Sequence, residues 1–424
     1  MPDSITWPRP LIAVCCACWL WSIGRIALAD SPARQDSATD WPSTIARLRQ
    51  EMYERPGVGS IRQQLATAYN NYGVSLGQQH DWAGAVSQLQ EAVRLDQANE
   101  PFRKNLSYLY LNEAADVRAH QRLSEALELI QNALDARPDF PEAYALRGEI
   151  EYQRQHLKEA KAAWQQALKL DPAQPEVAKR LSQVTEELPI ESKFGRLSQA
   201  YFDIRYEEKI KQPIDFNIRD ALLDARRAIG ADFASWPKHK IVVLVYSIES
   251  FRALRKETPE WVAGQFDGKI RVPIPSGEVH QATVRQILFH EYTHAVIQDL
   301  TVGHCPVWLN EGLAEYEGHT QEKGTLKQLK AVQAAQRLIP WGELSDHFSV
   351  SASADDVALA YEEAHAIAAY LVTRYGWWRM RKIISGLQAG QDWRQVFSNQ
   401  LHVKLPKLES EWRQQLPEWI GANQ

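Results

Sequence analysis

The sequence predicts a mainly α chain with an α+β part: an N-terminal helical solenoid followed by a mixed α+β domain. Three observations carry that expectation. Small residues recur at fixed offsets through the first half, helical patterning gives way to mixed helix and strand patterning near Pro189, and an HEYTH pentad is followed at short range by WLNEGLAEY. At 424 residues the chain exceeds one compact core, so two or three domains are expected. The boundaries read as 1–29, 30–60, 61–188 and 189–424. Apolar residues make up 45% and charged residues 24%, ordinary globular values that argue against long disorder. A net charge of −5 and a pI near 6.2 exclude the basic footprint of a nucleic-acid binder.

Residues 1–29 read as an export signal. Arg9 is the positive n-region, Leu11 to Ile23 an apolar run, and Ala27-Leu28-Ala29 an A-x-A cleavage box before Asp30. The run is short and closely followed by Arg25 and Asp30, which disfavours a spanning helix; an uncleaved membrane anchor is the competing reading. A bacterial-type signal cleaved after Ala29 implies a periplasmic or secreted chain. Cys15, Cys16 and Cys18 then leave with the signal, and one thiol, Cys305, cannot form an internal disulfide. A reactive thiol or an extra ligand is conceivable for Cys305, but a small buried apolar residue is the expectation.

Residues 30 to 42 are polar and read as linker, and Thr44 to Glu54 as a short lead-in helix ending before Pro56 and Gly57. Repetition then sets in. Gly73, Ala85 and Ala92 take the offsets of Gly148, Ala160 and Ala167, with Ala126 and Ala133 in the copy between. Ala and Gly let paired helices approach, while Tyr69, Tyr72, Leu89, Tyr144 and Trp164 fill the layers, and Pro138 and Pro172 close two of the copies. Seven additional residues, around Asp116 to Arg122, lengthen a helix or loop in the middle copy. This pattern resembles the tetratricopeptide repeat, or TPR, and the resemblance implies three repeats with a capping helix from Pro175 to Leu188. A groove for a protein partner is one expectation, a rigid helical spacer the other.

Pro189 to Lys193 reads as the boundary. Beyond it, Tyr201 to Tyr206 alternates like a strand, Asp215 to Ile229 reads as a helix, and Ile241 to Tyr246 as a buried strand. Phe266 to Ile274 reads as a hairpin and edge strand about Asp267-Gly268, stopped by Pro273 and Pro275. A helix from about Val279 to Leu300 carries HEYTH, and the chain after Val307 is helical with breaks at Gly318, Pro340, Gly376 and Gly390.

On that helix His290 and His294 sit one turn apart on one face, the spacing that lets two imidazoles bind one Zn²⁺ while Glu291 acts as general base. Glu311 is placed to be a third ligand. Asn310 and Glu315 are the candidates to hold the non-ligating imidazole nitrogens. Ile287, Phe289 and Ala295 seat the helix in the core. His304, His319 and His347 lack partner spacing and read as solvated loop residues.

HEYTH followed by a WLNEG helix resembles the gluzincin metallopeptidases, most closely their small thermolysin-like Peptidase MA branch, over roughly Phe202 to Trp412. The resemblance implies a thermolysin-like α+β zinc peptidase domain holding one zinc ion per chain. His290, His294 and Glu311 are its implied ligands, Glu291 polarises the water, and Glu315 buttresses a ligand. It also points to Tyr361 as oxyanion donor, with His365 one turn on able to share the role; an ordinary helix-face residue is the alternative for each. Aminopeptidases of the clan usually carry a G-x-M-E-N loop, absent from Ala263 to Lys269, so an endopeptidase is implied, its edge strand pairing with extended substrate. The expected function is an exported zinc endopeptidase acting on protein or peptide, with repeats that recruit a protein partner. The alternative is a non-catalytic TPR interaction protein with a structural or degenerate zinc site.

Overall fold

The computed structural model describes residues 12–15, 40–210, 218–255, 262–274, 281–320, 326–348 and 353–422; for 12–15 and 262–263 only the backbone is considered. The chain is mainly helical with one small mixed sheet. It divides into two compact units, one ending at Thr185 and one running from Glu186 onward and including the strand at 12–15.

The first unit opens with α1 (Trp41–Glu54). It starts before the expected Thr44 because Asp40 accepts the Ser43 N–H and Pro42 occupies the first turn, where no amide is needed. Three helix pairs follow: α2 (Gly59–Gln78) with α3 (Trp82–Leu95), α4 (Glu100–Ala119) with α5 (Leu123–Ala136), and α6 (Pro141–Gln153) with α7 (Leu157–Leu170). The helices of each pair touch where residues are small: a Cβ on Gly148 would stand 2.4 Å from the Trp164 indole, and Ala114, at the same place in the middle copy, is fully buried. Trp164 fills that space and donates to the Ala145 carbonyl at 3.2 Å. The seven extra residues do lengthen a helix, but at its start and not around Asp116 to Arg122: α4 begins at Glu100, well ahead of Ala114, while α6 begins at Pro141, close before Gly148, and the two helices end at equivalent places.

The eighth helix, α8 (Pro175–Glu191), corrects the expected boundary, since it runs through Pro189. Proline inside a helix removes one amide bond and crowds the preceding turn. What holds the turn in place is its cargo: Glu187 and Glu191 are both buried and ion-paired.

In the second unit the sheet order is β1-β5-β6-β4-β3-β2, formed by β1 (Ile12–Cys15), β2 (Gly195–Ser198), β3 (Phe202–Tyr206), β4 (Ile241–Ser247), β5 (Val262–Phe266) and β6 (Ile270–Ile274). The central trio β3, β4 and β6 is parallel, while β2 on β3 and β5 on β6 are antiparallel. The segment 266–274 is therefore not an edge strand. Its second strand, β6, is internal and continues through Pro273, opposite Tyr246, to Ile274. The first strand, β5, starts at Val262 and has β1 parallel along its outer side. Ile12–Cys15 falls inside the apolar run read as a signal; the cleavage box lies outside the described residues.

Helices α9 (Arg219–Phe233), α10 (Ile248–Leu254), α11 (Gln281–Thr301), α12 (Val307–His319), α13 (Lys327–Ala334), α14 (Ala354–Leu387), α15 (Trp393–Leu401) and α16 (Leu405–Ala422) complete the unit. The expected start of α9 at Asp215 lies outside the described residues. Gly318 does not break α12: it is buried inside the helix, and a Cβ there would stand 3.2 Å from the Gln286 carbonyl, a tight contact. Gly376, at φ +70, does interrupt α14. One face of the sheet (Ile204, Val243, Val245, Ile270, Val272) packs with α9, α11, α12 and α14 in the main core. On the other face Val242, Leu244 and Tyr246 meet Phe251 of α10 and Phe194.

Candidate metal centre

Helix α11 is buried along nearly all of its central length, with Leu288, Phe289, Tyr292, Val296 and Ile297 in the core. Its polar residues therefore have no water to satisfy them, and each needs a partner from the protein or a bound ion. His290, Glu291 and His294 are at most 3% exposed.

The Nε2 atoms of His290 and His294 face each other at 3.0 Å, and Glu311 Oε2 lies 3.5 Å from the first and 3.6 Å from the second. Two bonds of about 2.0–2.1 Å at a tetrahedral angle span roughly 3.3 Å, so these three atoms have the spacing of a zinc ligand set. Among the described residues they form the one group of three side chains able to hold a metal ion. The ring nitrogens turned away are also engaged: His294 Nδ1 meets Asn310 Oδ1 at 3.1 Å, and His290 Nδ1 meets Glu315 Oε1 at 3.1 Å. Such contacts fix the tautomer and aim the opposite nitrogen at a metal.

Helix α12 delivers Asn310, Glu311 and Glu315 because it comes very close to α14. A Cβ on Gly312 would stand 2.4 Å from the Ala364 carbonyl, so the glycine after Glu311 sets the distance at which the carboxylate arrives. The Glu291 carboxylate lies under β5. Both its oxygens are buried without a hydrogen-bond partner among the described residues. Gly264 leaves it room: a Cβ there would lie 2.5 Å from Glu291 Oε1. The next inward residue of β5, Phe266, stacks over the His294 ring with centroids 6.4 Å apart.

Burial pushes the Glu291 carboxyl well above its ordinary range, against the pull of His290. Burial, with the charge of His290 beside it, drives His294 well below its own. Burial also acts against ionised Glu315, but the hydrogen bond from His290 outweighs it and holds this carboxyl at about 2.

His365 and Tyr361 take different places. His365 stacks on His319, centroids 4.2 Å apart and nearly parallel, and meets Trp419 edge-on. Its Nδ1 is buried without a hydrogen-bond partner among the described residues, and burial lowers its pKa to about 3. Tyr361 packs edge-on against Phe348 in a small cluster with Val357. His319 corrects the solvated-loop reading: it ends α12, and its Nδ1 lies 3.4 Å from Glu315 Oε2. Its spacing of four from Glu315 was the available signal. Gly264 and Phe266 had none, because only pairing in the sheet brings them over α11. His304, by contrast, is exposed, against the Gln388 carbonyl, and Cys305 packs part-buried at the edge of the core.

Residues 257–418 match the family model of the Peptidase MA superfamily, and residues 141–174 match that of the tetratricopeptide repeat. The chain therefore carries a Peptidase MA superfamily domain, usually metal-dependent, together with a tetratricopeptide repeat. It is also similar to the protein STIP1 homolog of Dictyostelium discoideum, 28% identical over 109 residues, a stretch covering 26% of this chain and 18% of that protein.

Proposed function

We propose that this protein is an exported zinc-dependent endopeptidase of gluzincin type, acting on protein or peptide, whose repeats recruit a protein partner. The observation that carries the reading is the set of three donor atoms within 3.6 Å of one another beside a buried, unpartnered Glu291. A purely structural metal site has no need of that glutamate.

His290, His294 and Glu311 would hold the ion, and the donor set of two imidazoles and a carboxylate fits zinc. When bound, zinc supplies Lewis-acid polarisation of a water and of the scissile carbonyl. Glu291 takes the proton of the attacking water on a carboxylate oxygen and passes it to the departing amine nitrogen. Tyr361 and His365 are the candidate donors to the oxyanion, and the unpartnered Nδ1 favours His365. Cleavage after Ala29 would remove β1 and free the outer side of β5 for an extended substrate strand.

Zinc content and casein cleavage, compared in wild type and Glu291→Gln, test the assignment. The expected result is about one zinc per chain in both, with kcat lower by about 10²- to 10⁴-fold in the variant. Equal cleavage by two zinc-loaded proteins would sink the mechanism.

A further inference from the structure

On the sheet face away from α11 lies an enclosed group of charges that the chemistry above does not use. Arg271 of β6 is wholly buried, with Nη1 3.1 Å from Glu191 Oε1, Nη2 3.6 Å from Glu187 Oε1, and Nε 3.2 Å from Asp267 Oδ2. Tyr246 of β4 donates its hydroxyl to Glu191 at 2.6 Å and also meets Arg271. Arg255, just past α10, reaches Glu187 at 2.7 Å with one nitrogen and Gln265 of β5 at 3.0 Å with another. Lys269, equally buried, adds a third basic side chain against the three acids.

A buried network of this kind adds little net stability over an apolar one of the same volume, but it tolerates few geometries. Its geometry is that of the strand over the site. Gln265 and Arg271 are register partners in the β5–β6 hairpin and both face the charges. Their neighbours Gly264 and Phe266 face the other way, onto Glu291 and His294. Wherever Arg255 and Arg271 hold the hairpin, they set the height of its inner face above the general base and the ligand ring. Both arginines are held by carboxylates from the last turn of α8.

We infer that Glu187 and Glu191 are positioning residues of the active site: through Arg255 and Arg271 they fix β5 over Glu291 and His294. The activity part of this inference rests on the peptidase reading above. The strand-fixing part does not.

The test uses the full-length chain with Glu187→Gln, Glu191→Gln and Gln265→Leu. The last variant leaves the ion pairs intact and removes the acceptor that β5 offers to Arg255, so it stays informative should a charge variant fail to fold. Zinc content, hydrogen exchange by mass spectrometry and casein turnover per bound zinc are measured together. The expected result is unchanged zinc, amide exchange over 262–274 faster by about tenfold or more than in wild type while 281–301 is unaltered, and kcat lower by about tenfold or more with a smaller change in KM. Unaltered exchange over 262–274 in the folded variants would overturn the anchoring. Altered exchange with unchanged kcat per zinc would reduce the pair to a packing role. If wild type cleaves nothing, the peptidase reading fails, and the exchange comparison still decides whether α8 fixes the strand.

Discussion

Glu291 depends on a residue that has no side chain. Gly264 passes so close to its carboxylate that an added methyl group must push either the strand or the acid aside. On the proposed peptidase reading, Gly264→Ala is expected to keep zinc and lower kcat by about 10²-fold, since displacements near 1 Å cost that much in a positioned site; zinc analysis with casein kinetics checks it. The pentad and the downstream glutamates were legible because helical spacing alone puts His290 and His294 on one face and Glu311 and Glu315 on another. Asn310 and Glu315 stand at the ring nitrogens for the same reason of spacing and polarity. Gly264 and Phe266 were not legible. Their role exists only once β5 is laid across α11, a pairing no local pattern encodes.

At the level of elements, the helix pairs of the first unit could be read because they use a short-range device, a small residue opposite a large one, as in Gly73 against Leu89 and Gly148 against Trp164. Trp164→Ala would empty the space against Gly148 and cost about 3–5 kcal/mol, seen as a lower urea midpoint of the repeat unit. The elements that escaped were those whose local signal opposes their packing. Pro189 argues for a stop, yet α8 continues because Glu191 is tied to Arg271 and Tyr246. Pro273 argues for an edge, yet β6 is flanked on both sides. Gly318 argues for a break, yet it lies buried inside α12, packed closely against Gln286. In each case long-range contacts outweigh a propensity of a few kcal/mol.

For the molecule as a whole, the second unit buries several acids away from the metal cluster. Burial, with the charge of Asp232 nearby, lifts Glu317 to about 8, and burial lifts Glu363 to about 8, from ordinary values of 4.5. These raised carboxyls hold a proton in the folded state that the unfolded chain releases. Their contribution to stability is therefore complete below about pH 4.5 and lost as pH rises toward 8. Replacing both acids, Glu317→Gln with Glu363→Gln, is expected to make the urea midpoint of this unit less sensitive to pH between 5 and 8 than in wild type. An unchanged pH dependence in the double variant would locate the titration elsewhere.

The last turn of α8 also decides how portable the second unit is. A fragment beginning at Pro189, where the amino-acid pattern changes, keeps Arg255 and Arg271 but discards Glu187, leaving charge buried without its counterpart. Such a loss costs about 3–5 kcal/mol, a fall in Tm on the order of 10 °C for a unit of this size. A fragment beginning at Pro175 keeps the turn and is expected to escape that penalty; thermal unfolding of the two side by side measures the difference. Any exchange of one repeat array for another has to leave those final residues behind, because they belong to the scaffold of the second unit and not to the module they end.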